Sequence, residues 1–341
     1  MTKSTPSNAF SFEIKRLGIF RALQLGDMLC AVPALRSIRR ALPDARITLI
    51  GLPWASLFAE RYAAYIDEFV GFPGFPGLPE STAAPEDFKL FADDLRKRRL
   101  DLLIQMHGNG SITNTVVGML GAKRICGFYP GDRACPDPGM FLRYPHDAHE
   151  IHRHLSLAKF LGAAPAGAEL EFPILNQDEA EADLLMQRYG IGEFICVHAG
   201  ARANARRWPV QNFAAVADRL SAYGFHIVLT GSDEEREWNR DVANKMEYWP
   251  IDLTGLTTLG GLAALLRRCR LLVCNDTGVS HLAAALQVPS VVVFSNSEAQ
   301  RWAPLDDRLH RACVPTGSQR VSIDAVMAEA RLHLRTRYHA A

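Results

Sequence analysis

An α/β protein with parallel sheets in two domains is what this chain predicts, and three observations carry that expectation. Short apolar runs at residues 16–23, 47–52, 102–106, 195–198, 226–230, 271–274 and 290–294 alternate with helix-period segments, the pattern of parallel strands wrapped by helices. The length of 341 residues exceeds what a single hydrophobic core usually serves. The stretch Ala163-Ala-Pro-Ala-Gly-Ala168, followed by residues 169–177, reads as a boundary. Two Rossmann-like halves follow, residues 1–165 and 178–315, with 316–341 as a terminal segment.

The elements carry matching punctuation. After the first run comes a helix with apolar positions at Met28, Val32, Leu35 and Ile38, which Pro33 either starts or kinks. The Pro/Gly-rich stretch at 71–79 cannot continue a helix and leads into one expected at 88–98. A fresh helix is expected from Asp178. Pro209 opens another, whose inward face is Phe213, Val216, Ala217 and Leu220 and which ends at Gly224.

Composition narrows the function classes. The chain is 48% hydrophobic and 22% charged, and no apolar run reaches the roughly 20 residues a membrane-spanning helix needs. Residues 1–12 lack a basic stretch leading into an apolar core, so they read as a short disordered tail and not a signal peptide, and the protein is expected in the cytoplasm. A net charge of +1 argues against a nucleic-acid partner, which would require a dominant basic face. The seven cysteines, Cys30, Cys126, Cys135, Cys196, Cys269, Cys274 and Cys313, include no C-x-x-C pair and read as buried thiols. His149, His152 and His154 lack a fourth ligand at sensible spacing, so no metal site is expected there.

Three segments carry chemistry. In the first, Gly26 lets the backbone turn at a strand's carboxyl end and Asp27 lies at the edge where open α/β sheets place ligands. A lone Asp there is either a catalytic carboxylate or a helix cap. In the second, His198-Ala-Gly200-Ala-Arg202-Ala-Asn-Ala-Arg206-Arg207-Trp208-Pro209, small residues permit close approach to a ligand. Arg202 and Arg206 are placed to donate to phosphate oxygens, the alternative being a solvated basic loop. In the third, Cys274-Asn-Asp276-Thr277-Gly278-Val-Ser280-His281-Leu-Ala-Ala-Ala-Leu286, a strand ends and a helix begins with Thr and Gly, so unpaired amides and the positive end of the helix dipole suit a diphosphate. The plain alternative is a capped helix with a core histidine.

Together these segments resemble glycosyltransferase family 9, the ADP-heptose:lipopolysaccharide heptosyltransferases, over most of the chain. The family's opening pattern stands as Arg21, Gly26-Asp27 and Pro33-Ala34-Leu35. Its second pattern spans residues 101–111 and then 121–127, its basic-x-Trp-Pro signature is Arg206-Arg207-Trp208-Pro209, and its Asp-Ser/Thr-Gly-x-x-His-Leu signature runs from Asp276 to Leu282. The last-strand Gly-x-Thr-x-Pro pattern is replaced by Phe294-Ser-Asn-Ser-Glu-Ala-Gln-Arg-Trp-Ala-Pro304, which leaves the donor sugar open.

The resemblance implies the GT-B architecture, two Rossmann-like domains whose parallel sheets face a cleft, and an inverting transfer of a sugar from an ADP-sugar to a lipopolysaccharide-core glycan. It makes Asp27 the general base, with Gly26, His107 and Asn109 on the acceptor side. The nucleotide sugar falls to Gly200, Ala201, Arg202, Arg206, Asp276, Thr277, Gly278 and His281, with Asp233 or Glu235 on the ribose. No metal or other cofactor is implied. The terminal segment would return across the amino domain as a helix at 323–338. Family acceptors are anionic glycolipids, so a peripheral encounter at the inner membrane is implied, with Arg36, Arg39, Arg40 and residues 96–99 as the basic acceptor surface. Two other readings stay open: a nucleotide-sugar epimerase of the same architecture, which needs no acceptor, and a catalytically silent sugar-nucleotide binding module.

Overall fold

The computed structural model describes residues 9–80 and 84–335 of the chain. They form two compact units that divide between Glu169 and Leu170.

The first unit runs β1 (Arg16–Phe20), α1 (Leu25–Ala41), β2 (Arg46–Gly51), α2 (Ala55–Arg61), β3 (Glu68–Gly71), α3 (Pro85–Arg98), β4 (Leu102–Gln105), α4 (Thr113–Gly118), β5 (Ile125–Tyr129), β6 (Phe141–Arg143) and α5 (Glu150–Leu161). Its strands are all parallel, in the order β3-β2-β1-β4-β5-β6. β1 and β4 are buried on both faces except at Arg16, which explains why they read as unbroken apolar runs. One side of the sheet is covered by a cluster including Phe20, Phe72, Phe88, Phe91 and Leu95. On the other, the apolar stripe of α1 packs against α5. The helix starts at Leu25 and continues through Pro33, so that proline does not open it, and Ser37 donates its hydroxyl to the Pro33 carbonyl at 2.8 Å.

The second unit runs α6 (Asn176–Tyr189), β7 (Phe194–His198), α7 (Val210–Ser221), β8 (His226–Leu229), α8 (Arg236–Lys245), β9 (Ile251–Asp252), α9 (Leu259–Arg268), β10 (Leu272–Asn275), α10 (Gly278–Ala285), β11 (Ser290–Val293), α11 (Ala299–Trp302), β12 (His310–Cys313) and α12 (Ile323–Arg335). The strand order is β12-β11-β10-β7-β8-β9, again all parallel. Counted from its first strand, this is the connectivity of the first unit repeated. In each, the order reverses between the first strand and the fourth, the point where doubly wound sheets hold ligands beyond their carboxyl ends.

Two expectations are corrected here. The terminal helix buries Val326, Met327, Ala330 and Leu334 in the core of the second unit, against α7, β11 and β12, because its apolar face matches that sheet's uncovered side. It is therefore an element of the carboxyl unit, and residues 336–341 lie outside the described ones. The expected tail at 1–12 lies outside the described residues up to 8. From Ala9 the chain is packed, with Ala9 fully buried and the Arg124 guanidinium 3.6 Å above the Phe12 ring.

Four of the basic residues named for an acceptor surface have partners within the first unit. Arg36 donates to the carbonyls of Ala166 and Glu169, and Arg39 donates to those of Pro43 and Ala45 and pairs with Asp67. Arg96 and Arg98 pair with Asp93 and Asp94. The run at 96–99 ends α3 just before β4 begins, which puts it at the opposite edge of the sheet from Asp27.

Among the described residues no helix is long and apolar enough to cross a membrane. Six of the seven cysteines are buried thiols and Cys135 is half-buried; burial pushes Cys196 and Cys313 up to about 12.

Candidate functional site

In the first unit the switch point lies between the ends of β1 and β4. Residues 21–24 make a tight connection into α1, with Gln24 extended at the cap, Gly26 buried in the first turn and Asp27 at its third position. Asp27 is thus a half-buried first-turn carboxylate and not the cap, favourably placed toward the positive end of the helix dipole. Arg21, 1% exposed, fixes this corner. Its guanidinium donates twice to the Asp27 main-chain carbonyl, at 3.1 and 2.6 Å, and once to that of Met106 at the end of β4.

Behind Arg21 stands the buried Glu150 carboxylate at 3.6 Å, which also pairs with Arg153 and meets His154 Nε2 at 3.0 Å. Burial, aided by the Arg21 charge and opposed by Glu150, lowers His154 to about 4, so that imidazole is neutral at pH 7. His149 caps α5, accepting from the Ile151 amide at 3.2 Å.

His107 is buried, stacked on Phe20 at 5.6 Å, and its Nδ1 accepts from the Ala22 amide at 3.3 Å. That bond assigns the neutral ring proton to Nε2, which lies 3.6 Å from Glu80. Asn109 folds back on its own loop, accepting from the Ser111 amide and hydroxyl. The loop can turn there because Gly108 and Gly110 take φ of +63° and +90°. The structure therefore brings Gly26, Asp27 and His107 to one corner through Arg21 and Ala22.

In the second unit the connections are reversed in length: a long loop leaves β7, and β10 passes almost directly into α10. Asn275, fully buried at the end of β10, ties the two together. Its amide donates to the carbonyls of Ala199 and Gly200 at 2.7 and 3.2 Å, and its oxygen accepts from the Trp208 amide at 2.9 Å. The Trp208 indole, 1% exposed, donates to the Val321 carbonyl at 2.9 Å. The Trp of the basic-x-Trp-Pro signature is an anchor that leaves the loop's tip to face outward.

On that tip Arg202 is exposed, while Arg206 reaches back to within 3.7 Å of Asp276, itself 2% exposed. Asp276 Oδ2 is sheltered and has no hydrogen-bond partner among the described residues. An orphaned buried acceptor of this kind marks a place where a ligand completes the structure. Thr277 caps α10 by accepting from the Val279 amide at 3.3 Å, and no acidic residue stands in the first turn, so the positive end of that helix is left for an external anion. His281 is buried one turn on, its ring 6.0 Å from Trp302.

Of the two ribose candidates only Glu235 adjoins this pocket. It packs so closely on Gly200 that any Cβ there would collide with its carboxylate, and it lies 3.8 Å from His198 Nε2. Burial lowers the His198 pKa, against the opposing pull of Glu235, while Nδ1 faces the Thr230 hydroxyl at 3.2 Å. Asp233 points to solvent and pairs with Arg236.

Sequence reasoning missed Asn275, Glu150 and Thr230. A polar residue closing an otherwise apolar buried strand, as Asn275 does, was the available signal. Among the described residues no group of three or more His, Cys, Asp or Glu has metal-site geometry.

Comparison with known proteins places this geometry. Residues 89–328 match the family model described as glycosyltransferase family 9 (heptosyltransferase). The chain is 28% identical over 183 residues to lipopolysaccharide heptosyltransferase 2 of Salmonella typhimurium, a match spanning 50% of this chain and 53% of that protein, so it covers only about half the relative's length. It is 23% identical to lipopolysaccharide heptosyltransferase 3 of Escherichia coli over 83% of this chain and 84% of the other.

Among solved structures, the glycosyl transferase family 9 protein of Veillonella parvula DSM 2008 superposes with a TM-score of 0.79 at 22% identity, covering 95% of this chain and 99% of that one. The E. coli ADP-heptose lps heptosyltransferase II gives 0.73 at 21% identity, with 94% and 99% covered. These likenesses carry the GT-B fold. With the family match extending over residues 89–328, the chain belongs to glycosyltransferase family 9, the heptosyltransferase family.

Proposed function

We propose that the protein is an inverting glycosyltransferase that moves a sugar, heptose in the family's reading, from an ADP-sugar to a hydroxyl of a lipopolysaccharide-core glycan. The observation that carries this reading is the half-exposed Arg206 guanidinium, held near Asp276, beside the acid-free first turn of α10, a guanidinium and helix-amide set matched to a diphosphate. Gly200, Ala201, Thr277, Gly278 and His281 line the donor side of the proposal, and Glu235 takes the ribose. Asp27 accepts the proton of the acceptor hydroxyl as its oxygen bonds the anomeric carbon and the bond to the diphosphate oxygen breaks. The leaving charge is met by Arg206 and the helix amides, with no metal needed. Gly26, His107 and Asn109 shape the acceptor side, and the acceptor is an anionic glycolipid met at a membrane surface.

The test supplies ADP-heptose and a heptose-deficient lipopolysaccharide core in the presence of excess EDTA, and reads ADP release and product mass. A glycan gaining one heptose with inverted anomeric configuration is expected. A strict need for magnesium or manganese removes the metal-independent mechanism. Conversion of donor alone to an epimer supports the epimerase reading, and absence of both reactions with ADP bound leaves a binding module.

A further inference from the structure

Beyond β11 the chain departs from its family's Gly-x-Thr-x-Pro pattern, and the segment that replaces it builds a cavity of about 530 Å³. Arg206, Ser295, Ser297, Glu298, Arg301 and Trp302 are among its walls. The volume lies in the range of small-molecule sites, of order 300–1,000 Å³. Arg206 joins this cavity to the Asp276 pocket described above.

The polar inventory is selective. Ser295 Oγ and Ser297 Oγ are both sheltered from solvent and have no hydrogen-bond partner among the described residues. A hydroxyl without a partner is costly to shelter, and rotation about one side-chain bond turns it into the cavity without giving up any bond. Glu298 adds an acceptor-only carboxylate to the rim. Arg206 and Arg301 on the same walls attract an anion, so the carboxylate does not turn phosphate away; what it adds is an acceptor to which an acceptor-only phosphate has no proton to give. A sugar hydroxyl donates to that carboxylate and exchanges hydrogen bonds in either direction with the serines. The wall is fixed in place, since Trp302 lies under the Arg301 guanidinium at 4.6 Å and meets the His281 ring edge-on at 6.0 Å.

We propose that Ser295, Ser297 and Glu298 form the glycosyl subsite of the donor pocket and read the hydroxyls of the transferred sugar. This rests on the donor reading of Arg206 and Asp276. It assigns sugar recognition to the very segment in which this chain departs from its family, and nucleotide recognition to the segments it shares.

Calorimetry on the full chain with ADP, ADP-heptose and ADP-glucose tests it, using Ser295→Ala, Ser297→Ala and the double variant, with thermal melts to establish folding. The wild-type chain is expected to bind its preferred ADP-sugar more tightly than ADP. Each serine removed is expected to weaken that ADP-sugar about three- to tenfold while ADP affinity stays unchanged. Equal weakening of ADP and ADP-sugar shows that the serines hold phosphate and overturns the proposal. Unchanged affinity for every ligand in a folded double variant overturns it too. A wild-type chain that binds neither ADP nor any ADP-sugar overturns the donor reading itself, an outcome distinct from both.

Discussion

At the end of β1 the chain enters a helix within residues 21–24, and that helix carries its own anion, Asp27, in its first turn. At the end of β10 the chain enters a helix just as abruptly, but the first turn of α10 holds no acid. The two units share one connectivity, and each presents a helix amino terminus at its switch point. In the first the positive end is answered from within, which leaves a carboxylate in position to do chemistry. In the second it is left unanswered, which suits an anionic ligand. The tethers differ accordingly. Arg21 holds the first corner through charge-assisted bonds to main-chain carbonyls, whereas the neutral Asn275 holds the second and adds no charge there.

The largest test of this contrast removes the internal anion. Asp27→Asn should lower turnover by about 10²–10⁴ while ADP affinity stays near the wild-type value. Because Asp27 is not the cap, the stability change should be confined to the lost dipole interaction, about 0.3–1 kcal/mol. Near-normal turnover with both substrates saturating would reduce Asp27 to a dipole partner.

The converse experiment removes the cation of the second site. Arg206→Ala should weaken ADP binding roughly ten- to a hundredfold, the 1.5–3 kcal/mol typical of a charge-assisted contact, while the exposed Arg202→Ala serves as a control with a smaller effect. Calorimetry that reversed the two would place the phosphates at the loop tip.

Each unit also buries one histidine lowered from 6.5 to about 4 by burial: His154 behind Arg21, and His310 on β12, where Nδ1 meets the Ser290 hydroxyl at 2.8 Å. Above pH 6.5 both states keep these rings neutral and they contribute no pH dependence. As pH falls further the unfolded chain takes up protons first, so stability is lost until about pH 4, where the folded form protonates as well. Each ring should account for a loss on the order of 3 kcal/mol across that window. Melting curves between neutral and acid pH should flatten in His154→Gln and in His310→Gln. An unchanged slope in either clears that histidine.

A smaller effect is expected at the neutral tether. Asn275→Ala leaves the Trp208 amide and two loop carbonyls without their partner, which should cost about 1–3 kcal/mol and raise hydrogen exchange at residues 199–208 before it alters the first unit. Smallest of all is Lys97→Ala, an exposed position at the far edge of the first sheet, which should change acceptor KM by less than about twofold. A large change there would return the acceptor to the basic run at the end of α3.

The central strands β1, β2, β4, β7, β8, β10 and β11 were legible because burial on both faces writes them as apolar runs. The others were not. β3 and β6 are half exposed, β9 is two residues long, and β12, at a sheet edge, is buried only at its two ends. β5 interrupts its own pattern with Gly127. At the candidate site, the residues proposed to meet a ligand were legible as motifs, because they sit together in short segments of the chain. The tethers were not, since Arg21 finds Met106 and Asn275 finds Trp208 only after folding brings distant strands together. For the same reason Arg36 and Arg39 looked like free charge until Ala166, Glu169 and Asp67 were placed beside them.

The bond from the Trp208 indole to the Val321 carbonyl joins the proposed phosphate loop to the stretch just ahead of the last described helix. During synthesis, the ribosome delivers Val321 long after β7, β10 and Asn275 have emerged. The loop at 199–208 therefore has one of its two anchors early and the other only after β12 has been made. A nascent or truncated chain that stops before Val321 lacks the second anchor of that loop, so the order of the loop should report on synthesis through Val321. A protease cut or a fusion placed between β12 and α12 should act at a distance on the loop at 199–208.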